Sequence, residues 1–361
     1  MTSIETAPPT VESAVAEEFA ERMLGVFNDA SLALLASVGH QVGIFETLAA
    51  LPPSTSAEIA GAAGLQERYV REWLDGMTAG RVVEHDPDER TYWLPAEHAA
   101  SLTLQAGPQN LARMMQLVPL LAGVEEQVVS CFRDGGGVGY EEFPRFHQLM
   151  AEESAATHDA QLLDVVVPLV PGLGAALRDG IRCADIGCGS GHAINILARA
   201  FPRSRFVGYD FAAEAIAAAR AESEAWGLSN TEFVVRDVAD LDDREGFDLA
   251  CAFDAIHDQA HPASVLANIA AALRPGGTFL MVDIKASSHV QQNLEMPWAT
   301  FLYTVSLMHC MTVSLALDGD GLGTVWGRQT AERMLAEAGF RTTTVHDLET
   351  DPFNLYYVAT K

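Results

Sequence analysis

From Ile181 onward, short β-rich runs alternate with alanine-rich runs at helical spacing. IRCADIG is followed by HAINILARAF, RFVGYD, AAEAIAAARAESEAWG, TEFVVRD, FDLACAFD, ASVLANIAAALRPGG and TFLMVDI. Strands that are apolar throughout are buried on both faces, and a helix between two of them lets the second run parallel to the first. This alternation predicts an α/β doubly wound parallel sheet. Such sheets bind ligands beyond the carboxyl ends of their strands. After a helix at RQTAERMLAEAGF, the runs TTTVHDLE and NLYYVATK are separated only by a short link around TDPF. They must therefore pair antiparallel, closing the sheet with a C-terminal hairpin.

The first third of the chain has a different texture. Between Val15 and Val38, Phe19, Met23, Val26, Phe27, Ala30, Leu34, Leu35 and Val38 recur at helical spacing. GIFETLAAL predicts a second helix that stops at Pro52 and Pro53. Ser56 is the expected N-cap of a short helix ending at Gly61 or Gly64. Gln66 to Ala79 predicts a longer helix that buries Tyr69, Val70, Trp73, Leu74 and Met77 and ends at Gly80. RVVEH and TYWLP then pair around DPDER. Helix, turn, helix and two-stranded ribbon form a winged-helix pattern. The expected organisation is a disordered lead-in over 1–12, a winged-helix or dimerisation domain over 13–107, a helical connector over 108–178, and the sheet domain over 179–361.

Winged helices commonly bind DNA, but a helix that enters the major groove needs a net positive face. Here Gln66, Glu67, Arg68, Arg71, Glu72 and Asp75 balance in charge, and the ribbon adds Asp86, Asp88 and Glu89. The whole chain carries a formal charge of -27. Packing or dimerisation is thus the expected role, with no nucleic-acid partner and no affinity for anionic membranes. Cys131, Cys183, Cys188, Cys251 and Cys310 form no CxxC pair, which fits buried thiols in a reducing compartment. MTSIETAPPTVESA lacks the apolar core of a signal peptide, and no run is long enough to span a bilayer. MMQLVPLLAGV comes nearest. A cytoplasmic protein is expected.

ADIGCGSGH, Ala184 to His192, ends the first strand and opens a helix. Gly187, Gly189 and Gly191 permit a tight turn and close approach to a ligand. Their spacing is GxGxG, so His192 stands where a dinucleotide pattern needs its third glycine. Asp185 just before the loop would repel a pyrophosphate but attract an ammonium group. Asp210, ending the next strand, is placed to bond two ribose hydroxyls. Asp237, where the third strand ends, can accept from an exocyclic amine, with the Val238 backbone beside it. A nucleoside joined to an amino acid, without phosphate, describes S-adenosylmethionine.

ADIGCGSGH, VGYD, RDVADL, FDAIHD and LRPGGTFLMVDI, in this order, resemble the motifs of class I S-adenosylmethionine-dependent methyltransferases from about Gly180 to Lys361. LLASVGHQVGIFETLAA through YWLPAEHAASL is similar to the winged-helix dimerisation domain of small-molecule O-methyltransferases. SLMHCMTVSLALDGDGLGTVWG resembles the Rv2258c-like subfamily. The resemblance implies a Rossmann-like seven-stranded sheet, a homodimer and a small aromatic or apolar acceptor. It also implies that His257 is the general base, a role its ordinary pKa of about 6.5 suits. Asp258 is expected to orient or cap.

The cofactor set is completed by Phe211, Phe253, Asp254 and Tyr140. Met308, His309, Cys310 and Trp298 are expected to line the acceptor pocket. In the family a tryptophan usually follows the His-Asp pair, where this chain has Gln259, and a later carboxylate orients the histidine. No position here is assigned to that carboxylate. A divalent metal at Asp254, His257 and Asp258 is the rival chemistry, but it lacks a further ligand; no metal is expected. A cofactor-sensing regulator, or a transferase to nitrogen, sulfur or carbon, is the alternative function.

Overall fold

A computed structural model of the chain describes residues 12–241 and 244–361. The lead-in expected over 1–12 lies outside the described residues except for Glu12. The chain divides into two compact units, one running to Pro119 and the other Leu120–Lys361.

The first unit contains α1 (Ser13–Gln41), α2 (Ile44–Ala50), α3 (Ser56–Ala63), α4 (Glu67–Ala79), β1 (Glu84–Asp86) and β2 (Thr91–Trp93). β1 and β2 pair antiparallel, and Ser54 bridges to Tyr92 on their far side. Thr55, not Ser56, caps α3. Its hydroxyl accepts from the Glu58 N–H, and Glu58 accepts from the Thr55 N–H at 2.8 Å. A capping box needs its acid three residues after the cap, a spacing Thr55 satisfies and Ser56 does not. Gln66 likewise caps α4 rather than starting it. Val70, Trp73, Leu74 and Met77 are buried as expected, but Tyr69 is 81% exposed. It projects roughly a quarter-turn away from that apolar stripe. The Trp73 indole N–H donates to the Leu35 carbonyl at 2.8 Å, tying α4 to α1.

The second unit contains β3 (Arg182–Ile186), β4 (Arg205–Asp210), β5 (Thr231–Val235), β6 (Phe247–Phe253), β7 (Leu273–Ile284), β8 (Thr342–Asp347) and β9 (Asn354–Thr360). The strand order is β5-β4-β3-β6-β7-β9-β8. β3 to β7 pair in parallel, while β9 runs antiparallel to both β7 and β8. Two apolar cores flank the sheet. One gathers Phe247, Leu266, Phe279 and Tyr357; the other gathers Leu177, Ile194, Phe206 and Tyr356. The order of connection reverses at β3, which has β4 on one side and β6 on the other. The helix after β3 (His192–Ala200) packs into one core and the helix after β6 (Pro262–Ala272) into the other, opening a crevice between them at the carboxyl ends.

A further expectation is overturned. The helix Ala299–Ala316 is long and apolar enough to cross a bilayer by length and composition, with mean hydropathy 1.4 and a third of it buried inside the protein. Its hydroxyl residues hide this in the sequence. In a helix they bond back to their own turn, as Thr304 does to the Thr300 carbonyl at 2.8 Å. All five cysteines are free thiols, with Cys183, Cys251 and Cys310 buried.

Candidate active site

The carboxyl ends of the five parallel strands each carry an aspartate in or just beyond the strand: Asp185, Asp210, Asp237, Asp254 and Asp283. The first turn is built by the backbone. The N–H groups of Gly187 and Cys188 both donate to the Tyr209 carbonyl at 2.9 Å, folding the loop over the end of β4. Gly187 and Gly191 have φ of 71° and 69°. A Cβ on Gly187 would lie 2.6 Å from Ala255, and one on Gly191 would lie 2.5 Å from the Phe233 ring. Both positions therefore exclude a side chain twice over, by conformation and by space. Gly189 donates its N–H to Asp210 Oδ2 at 2.8 Å, and Ala212 donates to Oδ1 at 2.9 Å. Asp210 is thereby fixed facing the crevice, with lone pairs remaining for hydroxyl donors.

Asp185 is 2% exposed, and its Oδ1 has no hydrogen-bond partner among the described residues. Burial, reinforced by the nearby Asp210 charge, pushes its pKa up to about 7. A buried carboxylate short of a partner fits a cationic group arriving from the crevice. Asp237 is exposed and caps the 3-10 turn Val238–Asp240, accepting from the Ala239 N–H at 2.8 Å; Val238 is buried beside it. Phe211 is 54% exposed. Tyr140 meets it edge-on, with ring centroids 5.8 Å apart. The loop before Tyr140 is pinned to the helix Met311–Ala316. Val138 donates its N–H to the Thr312 hydroxyl at 2.9 Å, and a Cβ at Gly137 would collide with the Thr312 backbone. Burial and the Asp258 and Asp210 charges keep the Tyr140 phenol protonated.

Beyond β6, Asp254 adopts φ 51°, strain that aspartate tolerates better than most residues, while its N–H donates to the Val282 carbonyl at 2.9 Å. Phe253 is half-buried against His158. The chain then turns inward and buries His257. Its Nδ1 donates to Asp283 Oδ1 at 2.8 Å, and Nε2 lies 3.3 Å from Asp258 Oδ1. Asp283 is wholly buried at the end of β7. The sequence assigned no role to this carboxylate, which the structure places against His257 Nδ1. Burial lowers the imidazole's proton affinity, but the Asp283 and Asp258 charges overcome this and raise the His257 pKa well above its ordinary value. Gln259 closes the turn by donating to the Ala255 carbonyl at 2.8 Å.

The expected acceptor residues separate. Cys310 stands with His257 and Asp258, their donor atoms within 4.8 Å of one another; Asp254 is not in that group. Burial, with Asp258 adding to it, pushes the Cys310 thiol up to about 12. His309, on the same π-helical turn Ser306–Cys310, points elsewhere. It stacks on Phe146 at 3.5 Å within a cage completed by Phe143 and Tyr140. Trp298 is half-buried against Phe353 at 4.5 Å, and Met308 is half-buried.

The sheet order, the glycine turn and the row of strand-end aspartates define an S-adenosylmethionine-dependent methyltransferase domain, and residues 177–339 match the family model of a methyltransferase domain. Residues 30–104 match the family model of an Rv2258c-like winged HTH domain. A ubiquinone biosynthesis O-methyltransferase from Bradyrhizobium sp. (strain ORS 278) is 33% identical over 104 residues, which are 28% of this chain and 39% of that relative. The chain thus spans well under half the length of the curated relatives it matches. Among solved structures, mitomycin 7-O-methyltransferase superposes with TM-score 0.71 at 20% identity, covering 97% of this chain and 100% of the other. Human N-acetylserotonin methyltransferase, solved with S-adenosylmethionine, gives 0.66 at 17% identity, covering 95% and 97%. S-adenosylmethionine is the cofactor of this class, and the buried, underbonded Asp185 fits its ammonium group.

Proposed function

We propose that this chain methylates a hydroxyl oxygen of a small aromatic or apolar acceptor, with His257 as general base. The observation that carries this is the buried His257–Asp283 pair. Asp283 holds Nδ1 protonated, so the basic lone pair sits on Nε2, toward Asp258 and Cys310. Asp185, Asp210, Phe211, Asp237, the Val238 backbone and Tyr140 would hold the cofactor, with Phe253 and Asp254 at its edge. When bound, S-adenosylmethionine supplies an electrophilic methyl group on a sulfonium.

The protein's own contribution is proton removal, alignment and exclusion of water. The acceptor hydroxyl donates to Nε2 and loses its proton there. The two neighbouring carboxylates favour imidazolium in the ligand-free chain, and positive charge brought into the crevice opposes them, returning the ring toward the neutral, basic form. Two of the proteins named above are O-methyltransferases, one of ubiquinone biosynthesis and one of mitomycin, which supports oxygen as the acceptor atom. The exposed apolar side chains of α1, among them Phe19, Leu24 and Phe27, support self-association through the first unit.

The test is transfer of labelled methyl from S-adenosylmethionine to a panel of phenols, aliphatic alcohols, amines and thiols. Mass spectrometry should place the label on phenolic oxygen. Label confined to nitrogen or sulfur, or no transfer to any acceptor, contradicts the proposal.

A further inference from the structure

We infer that Trp326 is a positioning residue, whose indole N–H fixes the Asp283 carboxylate that orients His257. Trp326 lies in the glycine-rich run GDGLGTVWG, which lacks the lysine of a phosphate-binding loop. It is 5% exposed, and its Nε1–H donates to Asp283 Oδ1 at 2.9 Å. That oxygen also accepts from the Ile284 N–H at 2.8 Å and from His257 Nδ1 at 2.8 Å. The other oxygen, Oδ2, has no hydrogen-bond partner among the described residues.

A carboxylate free to rotate would present either oxygen to the histidine. Two fixed donors, one backbone and one indole, hold Oδ1 in place and leave the imidazole a single direction in which to donate. The tryptophan is itself pinned to the segment that follows β7. Ser288 Oγ donates to the Trp326 carbonyl at 2.7 Å, and Arg328 donates its N–H to the Ala286 carbonyl at 2.9 Å. Gly327, at φ 79°, lies against the Ser287–Ser288 backbone where a Cβ would collide. The loop therefore reaches Asp283 through rigid contacts, and the effect on chemistry rests on His257 being the base.

The test uses the full chain carrying Trp326→Phe. A second variant has benzothienylalanine placed at 326 by amber suppression, which keeps the shape of indole and removes only the N–H. The first readout needs no acceptor. In protein labelled with ¹⁵N-histidine, the His257 signal is identified by its loss in His257→Ala. Both variants should exchange the Nδ1 proton with solvent about tenfold faster than the parent. Identical spectra and exchange rates in parent and variants overturn the inference.

The second readout uses S-adenosylmethionine and whichever phenol the acceptor panel shows to be turned over. Both variants should lower kcat about tenfold with the cofactor KM unchanged. Neither should lower it further in an Asp283→Asn background. Full additivity there also overturns the inference, because Trp326 would then act elsewhere. If His257→Ala keeps the parental rate, the base assignment fails, while the exchange measurement still decides the role of Trp326.

Discussion

Asp185 carries its charge in a place that disfavours it. Its pKa of about 7 in the folded chain lies above the ordinary 3.8, so the folded state binds a proton that the unfolded state releases. Stability from this group is therefore full below about pH 4 and is lost as pH climbs through 7. Asp185→Asn should stabilise the cofactor-free protein at pH 8, on the order of 2–4 kcal/mol, while weakening S-adenosylmethionine binding. Chemical denaturation and calorimetry on the same samples check both halves. In the parent, cofactor affinity should fall as pH drops below about 7, since only the carboxylate attracts the ammonium. At His257, the proposed base, Asp258→Asn removes one of the charges that raise its pKa. The acidic limb of the kcat profile should move to lower pH in that variant, which a pH–rate series reads directly.

The elements explain which parts of the site the sequence could show. Asp185, Asp210 and Asp237 were legible as candidates because each comes at or just past the end of an apolar run in a different strand. Asp283 was not, because it is embedded in the apolar run FLMVDI and its partner His257 lies 26 positions earlier; only the pairing of β6 with β7 brings them together. Trp326 reaches the same oxygen from 43 positions later, by a loop whose path no local pattern encodes. His309 and Cys310 were read as one wall, yet a π-helical turn aims them at different neighbours. Periodicity gives a helix its apolar stripe but not its tertiary partner, so it did not separate them. The glycine turn offers the sharpest test at this scale. Gly191→Ala must accept φ 69° and a methyl 2.5 Å from Phe233. It should cost about 2–4 kcal/mol in thermal or denaturant unfolding.

The whole molecule joins a winged N-terminal unit to a methyltransferase unit, and both were visible as changes of texture along the chain. What the texture could not show is what the winged unit is for. Phe19, Leu24 and Phe27 are each more than half exposed along α1, a face that costs solvation unless a second copy covers it. Light scattering should give twice the monomer mass, and the double substitution Phe19→Glu with Phe27→Glu should give the monomer. A parent that runs as a monomer at all concentrations would remove α1 as a self-association surface.

The central claim, that buried His257 takes the acceptor proton beside a cofactor held by the strand-end aspartates, is tested most directly by His257→Ala. Calorimetry should show S-adenosylmethionine bound with parental affinity, while turnover of a phenolic acceptor falls by about 10²–10⁴. A variant that binds the cofactor and turns over at the parental rate would contradict it.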